Sequence, residues 1–416
     1  MKLLLFFLTI LINLDANQIN HTFKFRHESA FLIEDASIQK SIFYAKTDTK
    51  MQINNRSRLV LITKIESDLK DSIEPGRFDN NSYNRFSKVS SIGSKGTFEL
   101  RELFVEHELA DDILLKVGKM QTVWGKADGI KLIDILNPQT FTEFILPSFD
   151  ESRIALWSVT LLKSFENSEF EIVWIADNTR DKLPKSRASY AFTTPKLIPQ
   201  VDQSINIIMD KTKNPNNSLL DSDIALRYSM MFNSSEVGFF LFHLYDDLPT
   251  FSTKYDKSAN ILYIRPRYER KNSFAINYDL SKDKFVYRVE AIVTHNDKAS
   301  YLFGVDWYGF EESILSFQFN QSYLFKKNSN LVQNSIENTL TFLYKKDMFN
   351  NTLHNEILTI HNVNDGDGLI KTKTAYELDE ESLIYANFEK FYGSSRGLYG
   401  EFKDESRVVV GLEYTF

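Results

Sequence analysis

The segment SRVVVGLEYTF, residues 406–416, alternates with period two. In an extended chain successive side chains point to opposite faces. Val408, Val410, Leu412, Tyr414 and Phe416 therefore share one face, and Arg407, Val409, Gly411, Glu413 and Thr415 share the other. The first face is wholly apolar and ends in two aromatics, while the second is mixed and charged. A strand of a soluble sandwich also alternates. A soluble chain seldom ends on an exposed Tyr-x-Phe, however, so the pattern points to a strand with lipid on one side and water on the other.

The same dyad recurs upstream. Phe285, Tyr287, Val289, Ala291 and Val293 alternate with Arg288, Glu290 and Thr294. Tyr301, Phe303, Val305 and Trp307 alternate with Gly304 and Asp306, and Leu315, Phe317, Phe319 and Tyr323 with Ser316, Gln318, Asn320 and Ser322. Phe170, Ile172, Trp174 and Ala176 oppose Glu169, Glu171 and Asp177. Dyads of this kind mark an all-β fold, a transmembrane antiparallel β-barrel. The mean hydropathy of −0.30 agrees, because half of each strand faces water. No blade-length repeat suggests a propeller. In a barrel the apolar face that ends at Tyr414 and Phe416 resembles the C-terminal assembly signal of bacterial outer-membrane proteins, which implies the barrel-assembly machinery and outer-membrane lipids as partners.

Connection lengths set the topology. Short turns are expected at 110–112, 165–168, 233–235, 281–284, 309–311, 348–352 and 379–382. Long connections are expected near 70–96, 124–152, 178–220, 247–258, 326–334 and 393–404. Short turns belong at the periplasmic end and long loops outside, which gives about eighteen strands, within a range of about 16–20, and room for an aqueous lumen. The even count requires residues 36–47 to be a strand, and residues 259–280 read as one long strand or as a strand plus an irregular piece.

Composition narrows the class. Among 416 residues there are 34 Phe and 19 Tyr, with a net charge of −7 and no cysteine. The acidic balance argues against nucleic-acid binding. A chain without cysteine suits passage through an oxidising periplasm. Lys2 precedes an apolar run, Leu3–Ile12, that is too short to span a bilayer and has the length of a signal-peptide core, with cleavage expected after Ala16. This leaves residues 17–416 as the barrel, expected in the outer membrane of a Gram-negative bacterium.

One stretch breaks the pattern. Residues 118–157 read GKMQTVWGKADGIKLIDILNPQTFTEFILPSFDESRIALW. A solvated loop is rich in Ser, Asn and Gly, but this one carries Ile130, Leu132, Ile133, Ile135, Leu136, Phe141, Phe144, Ile145 and Leu146. A connection so apolar must bury itself, so residues 124–152 are expected to fold into the lumen as a constriction or plug loop. A cap across the mouth is the alternative. Burying a lone ion costs several kcal/mol, and Arg153 is the only arginine between Arg101 and Arg180. Arg153 is therefore expected to make a bidentate contact with Asp128, Asp134 or Asp150. Trp124 and Trp157 would anchor the two ends of the loop, or else lie in the interfacial belt. Asn137-Pro138 would turn deep in the fold.

The stretch also resembles the central signature of a large family of proteobacterial outer-membrane β-barrel proteins labelled as a domain of unknown function. The matching residues are Gly118, Trp124, Gly125, Ala127, Asp128, Gly129, Asp134, Asn137, Pro138, Phe144, Asp150, Ser152, Arg153, Ile154, Leu156 and Trp157. Lys119, Lys126 and Ala155 depart from it, standing where Arg, Glu and Pro are common. Weaker likeness extends through Tyr245–Pro249 and through YRVEAIVTHND, GVDWYG and LSFQFNQSY, residues 287–297, 304–309 and 315–323. The resemblance implies envelope transport of a hydrophobic or amphiphilic compound, with an RND-type inner-membrane exporter and a periplasmic lipoprotein-sorting-like protein as partners.

No enzymatic constellation competes. The seven histidines form no His-Glu-x-x-His or other short metal-ligand pair, and no Ser–His spacing stands out. No cofactor or metal is expected, and NVNDGDG (362–368) fails the EF-hand spacing and reads as a tight outer turn. Three readings remain, an outer-membrane transport channel, a non-conducting structural or lipid-handling barrel and, weakest, an outer-membrane enzyme. The inward residues Glu102, Glu106, Glu108, Glu169, Glu171, Glu290 and Asp306, set against Arg227 and Arg288, lead us to expect a weakly cation-preferring lumen.

Overall fold

Burial is inverted along the alternating segments. Leu412 and Phe317 are about half exposed, whereas their strand neighbours Arg407 and Gln318 are 2% and 1% exposed. Apolar side chains point out and polar ones point in, as lipid outside and a packed, wet interior require. The computed structural model describes residues 19–125, 129–199, 205–210, 212, 215, 219–327 and 331–416. The expected signal peptide (1–16) and Asp128 lie outside the described residues.

The first strands are β1 (Ile19–Leu32), β2 (Ile38–Asn54), β3 (Ser57–Asp68), β4 (Ser90–Ile92), β5 (Gly96–Ala110), β6 (Ile113–Met120), β7 (Leu156–Ser164) and β8 (Ser168–Ile175). Next come β9 (Asn206–Met209), β10 (Asp223–Phe232), β11 (Ser235–Tyr245), β12 (Thr250–Asp256), β13 (Ile261–Arg267), β14 (Arg270–Lys282) and β15 (Phe285–Thr294). The last are β16 (Lys298–Trp307), β17 (Ser313–Leu324), β18 (Ile336–Met348), β19 (Leu353–Asn362), β20 (Asp367–Glu377), β21 (Ser382–Tyr392) and β22 (Arg407–Thr415).

All but β4, β9, β12 and β13 form one antiparallel barrel of eighteen strands. It closes by pairing β1 on β22, from Lys24 opposite Thr415 to Leu32 opposite Arg407. Residues 36–47 contribute the first half of β2, so the count is even and β1 begins at the end where β22 finishes. At that end no turn exceeds the five residues 308–312. The other end carries the long connections 69–95, 121–155, 176–222, 246–269, 325–335 and 393–406. It also carries three short ones, at 33–37, 295–297 and 363–366, so length marks the side for most connections but not for all.

Residues 259–280 divide. Tyr268 and Glu269 separate β13, which pairs with β12 and runs parallel to β9 in a small sheet outside the barrel, from β14 in the wall.

Candidate functional site: the inward loop and the lumen it leaves

The connection from Met120 to Leu156 folds into the barrel. Its Trp124, Leu132, Ile133 and Leu136 are buried against inward wall residues, among them Val173 on β8, Phe240 and Phe242 on β11 and Leu302 on β16. The Trp124 ring lies 5.6 Å from each of the two phenylalanine rings. Its indole N–H donates to Glu171 Oε2 at 3.1 Å, which satisfies the polar end of a buried aromatic. Gly129 explains one glycine of the Trp-Gly turn. Its φ is +73°, and an added Cβ would stand 3.0 Å from Thr341 Cγ2 on β18 and 3.1 Å from Leu358 Cδ1 on β19. Only glycine takes this conformation readily at so close an approach to the wall.

Arg153 binds Asp134. Its Nε and a terminal nitrogen both reach Asp134 Oδ2, at 2.9 and 2.6 Å. The contact is a chelate of one oxygen and not the two-oxygen fork expected. Lys131 Nζ approaches the same oxygen at 3.6 Å and lies 4.7 Å from the Phe149 ring. Burial pushes the Lys131 amine down to about 8, against the pull of Asp134. Asp150 has a different place: it is exposed on the helical turn Phe149–Ser152, and its backbone carbonyl accepts from Arg101 and from Gln121.

Asn137 ties the two ends of the loop together. Its Oδ1 accepts from Thr122 N and its Nδ2 donates to Ile154 O, both at 2.8 Å, while Ile154 N donates to Pro138 O at 2.8 Å. Trp157 does not pack the loop. It shares the outward parity of Val159 and Leu161 on β7, and its indole N–H donates to Phe86 O at 3.3 Å. Strand parity puts it in the belt-like position, because Ser158 and Thr160 take the inward one.

Sequence reasoning missed the main tie between loop and wall. Glu143 Oε1 and Oε2 accept from Lys40 Nζ at 2.8 and 2.9 Å, and Oε2 also accepts from Arg407 at 2.6 Å. Arg407 in turn binds Glu389 at 2.7 Å and Gln39 at 2.9 Å, and Lys40 binds Glu28 at 2.5 Å. Burial alone would raise the Glu143 carboxyl, but Lys40 and Arg407 outweigh it and hold the group below the usual range. Next to it Phe144 packs on Phe402, Tyr399 and Phe391, with ring centroids 4.9, 5.6 and 6.1 Å away.

The loop also joins its neighbours. Gln139 N donates to Asp181 Oδ1 at 2.7 Å, Lys182 N donates to Gln139 O, and Phe141 N donates to Lys182 O. Burial, with Asp246 nearby, pushes the Asp181 carboxyl up to about 7, and burial together with Asp181 raises Asp247 well above its ordinary range. Lys182 and Lys185 both bind Glu74 of the 69–95 connection.

Between the loop and the inner faces of β1–β3 and β20–β22 lies a charged cavity. Its volume is about 480 Å³, and it is lined by Lys24, Arg26, Lys46, Lys64, Glu66, Lys371 and Lys373 among others. A second space of about 610 Å³ at the short-turn end shares Lys373 and Leu383 with it. The acidic lumen expected from sequence is largely neutralised. Arg227 holds Glu169 and Glu171, Arg288 holds Asp306, and Arg58 and Lys116 hold Glu106. The lysines of β1–β3 and β20 were absent from that inventory.

Among the described residues no group of three His, Asp or Glu is placed to hold a metal ion. His354 lies between Asp347 and Glu377, with one ring nitrogen toward each. In NVNDGDG, Asp367 accepts from Tyr399 N and Gly400 N and so anchors the 393–406 connection.

No family model matches the chain, and no curated protein matches it by sequence. Solved structures do match by fold. Acinetobacter baumannii OccAB3 aligns with a TM-score of 0.55 at 12% identity, over 96% of this chain and 98% of that one. OccAB2 of the same organism gives 0.54 at 11% identity, over 97% and 98%. Pseudomonas aeruginosa OpdK, solved with vanillate, gives 0.54 at 8% identity, over 96% and 98%. The likeness covers nearly the whole of each chain and is one of fold. A closed eighteen-strand barrel with an apolar outer surface and a loop folded inward is the fold of a Gram-negative outer-membrane β-barrel.

Proposed function

We propose that this protein is a passive outer-membrane channel for small hydrophilic solutes, narrowed by its inward loop. The observation that carries the reading is the charged space along the β1–β3 and β20–β22 side, which shares Lys373 and Leu383 with a second space at the short-turn end, along β17–β21. Eighteen strands leave a lumen wider than one loop fills. The loop packs Trp124, Leu132, Ile133 and Leu136 against the wall at β8–β16 and Phe144 and Leu146 against β19–β21 and the 393–406 connection, and the space left beside β1–β3 is lined mainly by charged and polar side chains. That lining suits a hydrated, charged solute better than the hydrophobic cargo implied by the family resemblance.

A sealed, structural barrel is the second reading. It draws support from the ties that knit the connections 69–95, 121–155, 176–222 and 393–406 together at the long-loop end. Planar-bilayer recording of the purified, refolded protein separates the two. Steady single-channel steps support the channel. A folded protein that inserts and stays silent overturns it in favour of the sealed barrel.

A further inference from the structure

The register of the first three strands places like charges side by side. Lys24 lies directly opposite Lys46, and Lys46 directly opposite Lys64. All three face the cavity. Adjacent strands are only about 5 Å apart, and like charges in direct opposition destabilise a sheet. The ends of this row are compensated. Lys24 binds Glu413 at 2.5 Å, and Lys64 lies 3.1 Å from Glu66 and 3.6 Å from Glu99. Among the described residues no carboxylate lies within 4 Å of Lys46, the middle of the row.

One inward row nearer the short-turn end the sign reverses. Asp48 lies opposite Thr22 and Ile62, and Ile62 lies opposite Glu102. Among the described residues Asp48 Oδ1 is buried without a hydrogen-bond partner, and its Oδ2 has only Lys50, at 3.7 Å. Glu102 makes no ion pair among the described residues. An incompletely paired ammonium and two incompletely paired carboxylates therefore stand on successive inward rows of one wall. Two residues along a strand separate the rows by about 7 Å.

We propose that these rows form a subsite for zwitterionic solutes of the short-peptide class. The solute carboxylate would sit at Lys46 and its ammonium at Asp48 and Glu102. An extended two-residue peptide spans about 7 Å, so its end charges match the spacing of the rows. A simple anion would satisfy Lys46 and be repelled by the next row, and a simple cation would meet the lysine row first. The inference rests on the channel reading and narrows it.

Liposome swelling with the full-length protein tests it. The probes are glycylglycine, the neutral N-acetylglycinamide of similar size, and succinate. Wild-type protein should admit glycylglycine roughly threefold faster than N-acetylglycinamide or more, and the ratio should fall toward one in both Lys46→Gln and Asp48→Asn. Heat-modifiable migration checks that each variant is folded. A wild-type ratio of about one overturns the proposal. So does a ratio that neither folded variant changes. Succinate overtaking glycylglycine, with Asp48→Asn without effect, would replace the subsite with a plain anion station. Failure of folded protein to admit even the neutral probe would overturn the channel reading itself, and the subsite with it.

Discussion

Replacing Glu143 by glutamine would leave Lys40 and Arg407 buried beside one another without the carboxylate that joins them. Removing one partner of a buried ion cluster costs roughly 3–5 kcal/mol. The cost falls on the docking of the loop, because the strand ladder does not pass through this side chain. We expect Glu143→Gln to assemble normally, to show larger and noisier single-channel steps, and to be cut by trypsin in the loop. Conductance and proteolysis both equal to wild type would show that the tie does not hold the loop. Arg153→Ala should act in the same direction but less strongly, since its partner Asp134 belongs to the same loop. If Arg153→Ala matches wild type in conductance and in sensitivity to bulky antibiotics, the loop is a passive filler. The two residues differ in legibility. Arg153 stands alone among acids in its stretch, and a buried cation near three carboxylates invites a pairing. Glu143 is one carboxylate among several, and its partners lie 103 and 264 residues away, a distance that local pattern does not reach.

At the scale of elements, the strands were legible because two solvents impose period two on them. What parity could not supply was where a strand leaves the barrel. Residues 259–280 admitted one long strand or a strand plus an irregular piece, and Tyr268 and Glu269 in fact separate β13 and β14, which belong to different sheets. Parity could have placed Trp157, whose neighbours Ser158 and Thr160 take the inward positions. The closing strand yields a prediction. The Phe416 ring stacks 5.3 Å from Phe23 and 6.1 Å from Phe25 across the seam. Phe416→Ala should lower the heat-modifiable, folded fraction in outer membranes, and an undiminished fraction would remove the aromatic from the assembly signal.

The joint of the connections 121–155, 176–222 and 246–269 should depend on pH. Asp181 and Asp247 keep protons in the folded state above the pH at which they lose them when free. The folded joint thus binds more protons from about pH 4 upward, at Asp181 as far as about pH 7, and its stability falls as pH rises through that window. Hydrogen exchange at the Gln139 amide, which donates to Asp181, should be faster at pH 8 than at pH 5 after correction for intrinsic rates. Asp181→Asn should flatten the difference, and equal protection at both pH values would contradict the assignment.

For the molecule as a whole, an all-β wall turned inside out holds a second, ordinary core within it. Trp124, Ile133 and Leu136 with Phe240 and Phe242 form a packed interior of the kind found in soluble proteins, set inside a wall whose own apolar face looks outward. The wall follows from alternation, while the inner core follows from the one stretch where alternation fails. Deleting residues 130–150 should therefore leave a folded barrel with conductance several-fold above wild type, since an eighteen-strand wall encloses an aqueous space of its own. Loss of folding instead would mean that the inner core supports the wall.

The pairing of Glu143 with Lys40 and Arg407 also has a meaning in time. Its three members come from the second strand, the connection after the sixth, and the last strand, so the site of docking does not exist until the first and last strands have met. This tie can form only after the seam shuts, whereas the packing of Trp124, Ile133 and Leu136 on β8, β11 and β16 does not wait for it. The last hold on the loop is therefore made when one glutamate finds two cations across the finished lumen.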